Sequence, residues 1–219
     1  MVTTLKMKFN RYKQNFLNIS KKNLVVGLSG TIGSGKSTAL KFLNNYGCIT
    51  LSSDEKSRLV LTNKKNCDRI LSRYPELSDQ GKAIDRKKLA RLIFNDKKAK
   101  QFVEDVIHPS VVESIVLDIS KLNDSIIVIE VPLMFETGFD ELVDLSVVIT
   151  ADRKNILNRL LRRGMSKKDA ERRLLNQLSD SFKIDRSDVV IANNGDIDEL
   201  ESDIKMLYEA LIKLKPKKE

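Results

Sequence analysis

Short apolar runs alternate along the chain with longer stretches in which apolar and charged residues are mixed. The apolar runs that read as strands occupy residues 24–28, 48–51, 126–131, 145–149 and 189–191. A continuous apolar run is typical of a strand that is buried on both faces, as in a parallel sheet covered by helices. The pattern therefore predicts an α/β fold with a five-stranded parallel sheet flanked by helices.

The longest stretch between two of these strands, residues 55–125, is charged and has apolar positions at helical spacing. These positions are Leu89, Leu92, Ile93, Phe102, Val103, Val106 and Ile107. Because a connection of this length forms structure of its own, the sequence predicts a helical subdomain here. Pro109 lacks the amide that a helix interior needs, so we expect one helix to end and another to begin at His108-Pro109.

The first strand leads into residues 30–37, whose sequence GTIGSGKS fits the nucleotide-loop pattern G-x-x-x-x-G-K-[ST]. Glycines let consecutive amides turn toward phosphate oxygens, and the helix that follows adds unpaired amides and a positive dipole end. Lys36 is expected to reach the β- and γ-phosphates, and Ser37 is expected to ligate Mg²⁺. The predicted phosphate-binding residues are Thr31, Ile32, Gly33, Ser34, Gly35, Lys36, Ser37 and Thr38.

Two acidic residues follow strands, at the sheet edge where ligands bind in such folds. Asp54 is either a general base that takes the proton of an attacking hydroxyl or the N-cap of the next helix. Glu130 either helps to position Mg²⁺ and its waters or is a surface acid at a strand end. The sequence alone leaves both alternatives open.

A basic segment, residues 153–173, follows the fourth strand, and its interruption at Gly164 and Ser166 predicts a helix–turn–helix lid. Its arginines are Arg159, Arg162, Arg163, Arg172 and Arg173. Arginines over the phosphates would neutralise charge on the transferred group, whereas arginines on a solvated face would pair with Asp169 and Glu171. We expect one or two of them to act on phosphate.

Composition narrows the class of protein. The chain has 39 Lys and Arg against 30 Asp and Glu, a net charge of +9 that suits anionic partners without choosing among them. An aromatic content of 5% without a stacking motif disfavours nucleic acid, and no apolar run reaches membrane-spanning length. Cys48 and Cys67 lack metal or redox spacing, which predicts a cytoplasmic location. The single histidine disfavours a histidine-rich metal site.

Residues 1–23 form a basic N-terminal extension with six basic side chains and no acidic one. Organelle-targeting peptides are also basic and poor in acids, but they are rich in the arginine and serine that are sparse here. We favour a solvated lysine-rich tail, so the sequence predicts disorder over residues 1–23. A targeting segment, which would place the protein in an organelle, and a nucleic-acid-binding arm are the alternatives.

Taken in order, the motifs resemble those of the dephospho-CoA kinase family. They are residues 26–38 (VGLSGTIGSGKST), Asp54, 84–89 (IDRKKL), 107–109 (IHP), 132–136 (PLMFE), Gln177, 187–191 (SDVVI) and Asn193. The phosphate loop alone is common to many kinases, whereas the ordered set is specific. The resemblance extends from residue 24 nearly to the C-terminus.

This resemblance implies a P-loop NTPase fold and a kinase that transfers the γ-phosphate of ATP, with Mg²⁺, to the ribose 3′-hydroxyl of dephospho-CoA. The implied reaction is the final step of coenzyme A biosynthesis. Asp54 is then the base, and Arg86 and His108 contact dephospho-CoA. Arg163 acts at the transferred group, while Arg159 and Asn193 lie at the nucleotide. The implied parts are a nucleotide-binding core (24–54, 126–152 and 181–212), a helical substrate subdomain (55–125) and a lid (153–180) within a kinase domain spanning 24–219. The resemblance implies no particular oligomeric state.

Three positions depart from the family pattern. Thr31 stands where the family usually has glycine, and Ser52 stands where it often has an acid. The lid has Arg163-Gly164 in place of an Arg-Asp pair, which leaves either Arg162 or Arg163 as the matching arginine. Another small-molecule kinase, of nucleoside or shikimate type, and an ATP-dependent nucleic-acid-binding protein are the alternative functions.

Overall fold

The computed structural model of the chain describes residues 10–79 and 83–216, which separate into two compact units. The first unit combines the chain before Ser53 with the chain after Asp118, and the second unit is Ser53–Asp118. The second unit is somewhat shorter than the helical insertion over residues 55–125 that the sequence predicts.

Strands and helices are interspersed along the described residues. The strands are β1 Leu24–Gly30, β2 Ile49–Ser52, β3 Ser78–Asp79, β4 Ala83–Ile84, β5 Ile126–Glu130, β6 Leu145–Thr150 and β7 Val189–Ala192. The helices are α1 Lys13–Ser20, α2 Lys36–Asn45, α3 Ser53–Val60, α4 Lys64–Arg73, α5 Arg86–Asn95, α6 Lys97–Ile119, α7 Met134–Thr137, α8 Arg153–Arg162, α9 Lys167–Leu175, α10 Asp180–Arg186 and α11 Ile197–Leu214. Short 3-10 turns lie at Asn10–Tyr12, Pro75–Leu77 and Phe139–Glu141. Among the described helices, none is both long and apolar enough to cross a membrane.

The first unit is built on a sheet of five strands in the order β2-β5-β1-β6-β7, and all neighbouring strands are parallel. This confirms the fold class that the apolar runs predict. Strand β1 is central and every one of its residues is buried. Because parallel strands end at one edge of the sheet, the loop after β1 lies at the edge where this fold binds ligands.

Helices α2 and α11 cover the sheet with an apolar face. Leu43 of α2 and Ile204 of α11 are both 0% exposed and pack with Val26 and Val147 in one core cluster. Complete burial of a leucine or isoleucine side chain stabilises the folded state by about 1.5–3 kcal/mol. The start of α2, which carries the loop residues, is therefore fixed against the most buried part of the unit.

The N-terminal segment differs from the sequence-based expectation. Helix α1 buries Phe16, which is 1% exposed and meets the ring of Phe139 edge-on with centroids 5.7 Å apart. Tyr12 and Ile19 are also buried, so one face of the segment is apolar. The prediction of disorder is therefore wrong for residues 10–23, because helical spacing of the apolar residues outweighs the basic composition. Residues 1–9 lie outside the described part of the chain.

The second unit has its own core, to which α4, α5 and α6 all contribute. Ile70, Leu89, Val103 and Val106 are its buried centre. The apolar positions that the sequence places in helices all belong to this cluster, as buried or partly buried members. A short antiparallel pair, β3 with β4, accompanies the helices.

Helix α6 runs through Pro109 without a break. The expectation that His108-Pro109 separates two helices is therefore wrong. Proline costs one backbone hydrogen bond in a helix interior. Buried apolar residues precede and follow it, with Val106 on one side and Val112 and Ile115 on the other. Their burial offsets that loss.

Candidate active site

The loop between β1 and α2 depends on glycines that no other residue can replace without strain. Gly30 and Gly35 have φ angles of 146° and 111°, a region that side chains disfavour. A Cβ atom on Gly30 would also overlap the backbone oxygen of Ile149 in β6. Gly35 is the N-cap of α2 and makes no side-chain capping bond. A helix start without such a cap leaves its first amides to an anion.

Lys36 is the first residue of α2, and its side chain is folded over the loop. It is only 8% exposed, and its Nζ donates to the backbone oxygens of Gly30 at 2.7 Å and Thr31 at 3.1 Å. These bonds hold a positive charge at the point where the loop amides and the helix start converge. The adjacent Ser37 is exposed and Thr38 is half-buried. The loop thus combines the charge, amides and hydroxyls that bind a phosphate chain.

Arg159 and Asn193 come together on the loop backbone. The backbone oxygen of Ser34 accepts a hydrogen bond from Asn193 Nδ2 at 2.7 Å and another from Arg159 Nη1 at 3.3 Å. Arg159 Nη2 also donates to the Asn193 backbone oxygen at 3.0 Å and to its Oδ1 at 3.2 Å. Asn193 is buried, and its backbone N–H donates to the backbone oxygen of Thr150 at 2.8 Å. Both ends of the Asn193 side chain are therefore engaged with the protein, where they support the loop.

Helices α8 and α9 form the helix–turn–helix that the basic segment predicts. Ile156 and Leu160 of α8 are buried in a small core against which Ile32 of the loop packs. Gln177, just after α9, accepts the amide of Ile32 at 3.0 Å through its Oε1. The helical pair is thus attached to the loop by one apolar and one polar contact.

The arginines Arg162, Arg163 and Arg172 of the helix–turn–helix are exposed to solvent. Arg162 and Arg163 are exposed next to the turn at Gly164, which has φ 80°. Arg172 is also exposed and pairs with Asp169 at 2.7 Å, a type of surface ion pair that contributes little to stability. Arg172 therefore fits the alternative of a solvated, paired basic face.

A buried polar cluster beside the loop was not anticipated from the sequence. The Thr31 hydroxyl donates to Asp180 and accepts from Lys183 Nζ at 3.1 Å. Lys183 is 0% exposed, and this burial lowers its pKa, while Glu136 and Asp180 act in the opposite direction. Glu136 also accepts the amide of Leu178 at 3.3 Å. The two contacts of the Thr31 hydroxyl join residues more than a hundred positions apart in sequence, so no local pattern could have indicated them.

Two side chains at the sheet edge have the chemistry of magnesium ligands. Glu130 ends β5, and its register places it beside Leu28 of β1 and Ser52 of β2. Ser37 is exposed in the first turn of α2. The described residues contain no group of three or more histidine, cysteine or acidic side chains that could hold a metal. One hydroxyl and one carboxylate nevertheless suit Mg²⁺, which keeps several waters and takes phosphate oxygens as ligands.

Asp54 and His108 both lie in the second unit. Helix α3 begins at Ser53, so Asp54 is within its first turn, where it is exposed. It is therefore not the residue that precedes the helix, which is what the capping alternative required. His108 is half-buried in the interior of α6.

Arg86 is the first residue of α5 and is exposed, with Nη2 donating to the backbone oxygen of Arg58 at 3.3 Å. The helix start is fixed by Asp85, whose carboxylate accepts the amides of Lys88 at 3.1 Å and Lys87 at 2.8 Å. The bond from Lys88 contributes most to a lowered pKa of Asp85. This N-cap sets the direction in which the backbone presents Arg86.

The chain is similar to known proteins over most of its length. The sequence pattern of one protein family, Dephospho-CoA kinase, matches residues 24–199. A dephospho-CoA kinase of Fusobacterium nucleatum is 32% identical over 190 residues, which are 86% of this chain and 98% of that protein. One from Leptospira interrogans is 34% identical over 204 residues, covering 88% of this chain and 95% of that protein. The crystal structure of TT1252 from Thermus thermophilus has a TM-score of 0.78 at 29% identity, covering 87% and 98% of the two chains.

Proposed function

The chain belongs to the dephospho-CoA kinase family, and from this premise we propose that it transfers the γ-phosphate of ATP to the ribose 3′-hydroxyl of dephospho-CoA. The products are coenzyme A and ADP. The observation that carries the proposal is the ammonium of Lys36, buried over the loop and held by the backbone oxygens of Gly30 and Thr31. Phosphoryl transfer needs positioned positive charge more than covalent chemistry, and this group supplies it.

The phosphate chain binds, in this proposal, between the loop amides and Lys36. ATP binding would bring the β- and γ-phosphate oxygens to the Lys36 ammonium, which the backbone oxygens of Gly30 and Thr31 hold in position. There the ammonium can oppose charge as the transferred group leaves. Arg159 and Asn193 act indirectly, because they hold the backbone of Ser34. We assign them a positioning role instead of direct contact with the nucleotide.

Ser37 and Glu130 are the residues that we propose to hold Mg²⁺. When bound, the ion neutralises charge on the β- and γ-phosphate oxygens. Glu130 has two strands beside it, β1 and β2, which fix its position at the sheet edge. Ser37 is exposed next to Lys36, so the same helix turn can present a hydroxyl and an ammonium to ATP.

Asp54 is the proposed general base. A ribose hydroxyl that attacks phosphorus must lose its proton, and an exposed carboxylate can accept it. Asp54 shares the second unit with Arg86 and His108, the proposed contacts to dephospho-CoA. Arg163 is the proposed lid residue at the transferred group, since it is exposed at the end of α8.

A cytoplasmic location also belongs to this proposal. Both cysteines of the chain are free thiols, which is the usual state in a reducing compartment.

An assay of ADP release with different acceptors tests the proposal. Dephospho-CoA, adenosine and shikimate are supplied in turn with ATP and Mg²⁺, together with a reaction that lacks acceptor. We expect ADP release to depend on dephospho-CoA and to stay at the acceptor-free rate with adenosine and with shikimate. Equal rates with shikimate or adenosine would overturn the assignment of the acceptor.

A further inference from the structure

The buried cluster beside the phosphate loop contains a lysine that the proposed transfer chemistry does not use. Lys183 of α10 is completely buried, which is rare for lysine unless its ammonium is paired. Its Nζ donates to the Thr31 hydroxyl at 3.1 Å, and that hydroxyl donates in turn to Asp180. Glu136 supplies a second negative charge nearby. The cluster therefore surrounds one loop side chain with compensated charge.

Thr31 is contacted by two lysines at two different groups. Lys183 binds its hydroxyl, while Lys36 binds its backbone oxygen at 3.1 Å. A shift of Thr31 would therefore also move the oxygen that helps to orient the Lys36 ammonium. A buried lysine with only a packing role would not change the position of the Lys36 ammonium in this way.

The same segment is attached to the loop at a second point. Gln177, a few residues before α10, accepts the amide of Ile32 at 3.0 Å. Thr31 and Ile32 are consecutive, so the chain between Gln177 and Lys183 is bonded to two neighbouring loop residues. This arrangement restrains the loop at the two residues that directly follow Gly30.

We propose that Lys183 is a positioning residue for the phosphate loop, acting through the Thr31 hydroxyl to hold the backbone that orients Lys36. The inference rests on the proposed function insofar as ATP is the ligand of the loop. Loss of the lysine should weaken ATP binding, and this loss should depend on the Thr31 hydroxyl.

Isothermal titration with ATP and Mg²⁺ tests this in a double-mutant cycle of Lys183→Met and Thr31→Val. We expect each single variant to raise the Kd for ATP about tenfold and the double variant to be little weaker than either, since contacting residues are non-additive. The KM for dephospho-CoA is expected to change less than twofold. Thr31→Ser, which keeps the hydroxyl, should weaken ATP binding less than Thr31→Val does.

Arg186→Met is the matched control, because it removes an ion pair from the same helix, with Asp140 at 2.5 Å, without touching the loop. It should lower the melting temperature without changing the Kd for ATP. If Lys183→Met does not fold, the comparison of Thr31→Val with Thr31→Ser still decides. Additive effects in the cycle, or equal Kd values for Thr31→Val and Thr31→Ser, would overturn the inference alone. Wild-type protein that binds no ATP would overturn the proposed function and this inference with it.

Discussion

The ammonium group of Lys36 supplies positive charge at the phosphates in the proposed reaction. Lys36→Met keeps the length of the side chain and removes its charge. We expect kcat/KM to fall by about 10²–10³-fold, the usual loss when one charge-stabilising donor is removed from a transition state. Steady-state kinetics with ATP and dephospho-CoA measure this. Lys41→Met, which removes an exposed lysine from the same helix, should retain its rate, and equal losses in the two variants would contradict the role of Lys36.

The carboxylate of Asp54 is the proposed proton acceptor, and Asp54→Asn removes this capacity with little change in shape. We expect kcat to fall by about 10²–10⁴-fold in single-turnover kinetics, while the affinity for ATP changes little. Glu55→Gln is the control, because both acids lie in the first turn of α3 and interact similarly with the helix dipole. A rate for Asp54→Asn equal to that of Glu55→Gln would assign the proton to another group.

At the residue scale, candidate site residues can be predicted from sequence where they lie at fixed spacing within one consecutive segment. The loop glycines and Lys36 are in this class, because strand, loop and helix are consecutive in the chain. Asn193 and Lys183 are not, since their partners Ser34 and Thr31 are 159 and 152 positions away. Such contacts depend on which strands neighbour each other and cannot be read from spacing.

Among the elements, α1 is the one whose role differs most from expectation. Phe16→Ala is expected to lower the free energy of unfolding by about 3–5 kcal/mol, because the side chain is 1% exposed. Leu17→Ala is the control on the same helix, since Leu17 is 58% exposed, and it should cost less than about 0.5 kcal/mol. Urea unfolding measures both. A loss for Phe16→Ala as small as the loss for Leu17→Ala would mean that the packing of Phe16 does not stabilise the first unit.

The five strands of the parallel sheet were predictable from apolar runs because both faces of such a sheet are buried, whereas the short pair of β3 and β4 was not predicted. The predicted start of β1 agrees with the structure, and its end extends from residue 28 to Gly30 because the ladder with β6 continues into the loop. The helices were less predictable. The basic composition of residues 1–23 led to a prediction of disorder where α1 forms. Pro109 suggested a break in α6, but the helix is continuous because buried residues before and after Pro109 pack in the protein.

Each of the two compact units contains one cysteine, so the local unfolding of each unit can be followed by the labelling rate of its own thiol. Cys48 and Cys67 are both buried, and burial raises the pKa of Cys48 to about 11 and also raises that of Cys67. Native protein at pH 8 should therefore react slowly with a thiol reagent, and denatured protein should react at once.

ATP should slow the labelling of Cys48 more than that of Cys67, because the phosphate loop belongs to the first unit and a ligand stabilises what it binds. The variants Cys67→Ser and Cys48→Ser report on one thiol each. Equal slowing of both thiols by ATP would mean that the two units open together.

For the molecule as a whole, the ordered motifs predicted the family and the fold, both of which the comparisons and the sheet topology confirm. The unit boundaries at Ser53 and Asp118 were harder to predict from the sequence. They depend on which apolar faces pack within each unit, and helical periodicity does not specify the partner of a face.

The identity of the phosphorylated product shows directly whether this chain phosphorylates the ribose 3′-hydroxyl of dephospho-CoA. The protein is incubated with dephospho-CoA and ATP labelled at the γ-phosphorus, and the product is examined by mass spectrometry and phosphorus NMR. We expect coenzyme A that carries the label at the ribose 3′ position, with one ADP formed for each molecule of coenzyme A. Label recovered only in ATP or inorganic phosphate, or at another position of the acceptor, would contradict it.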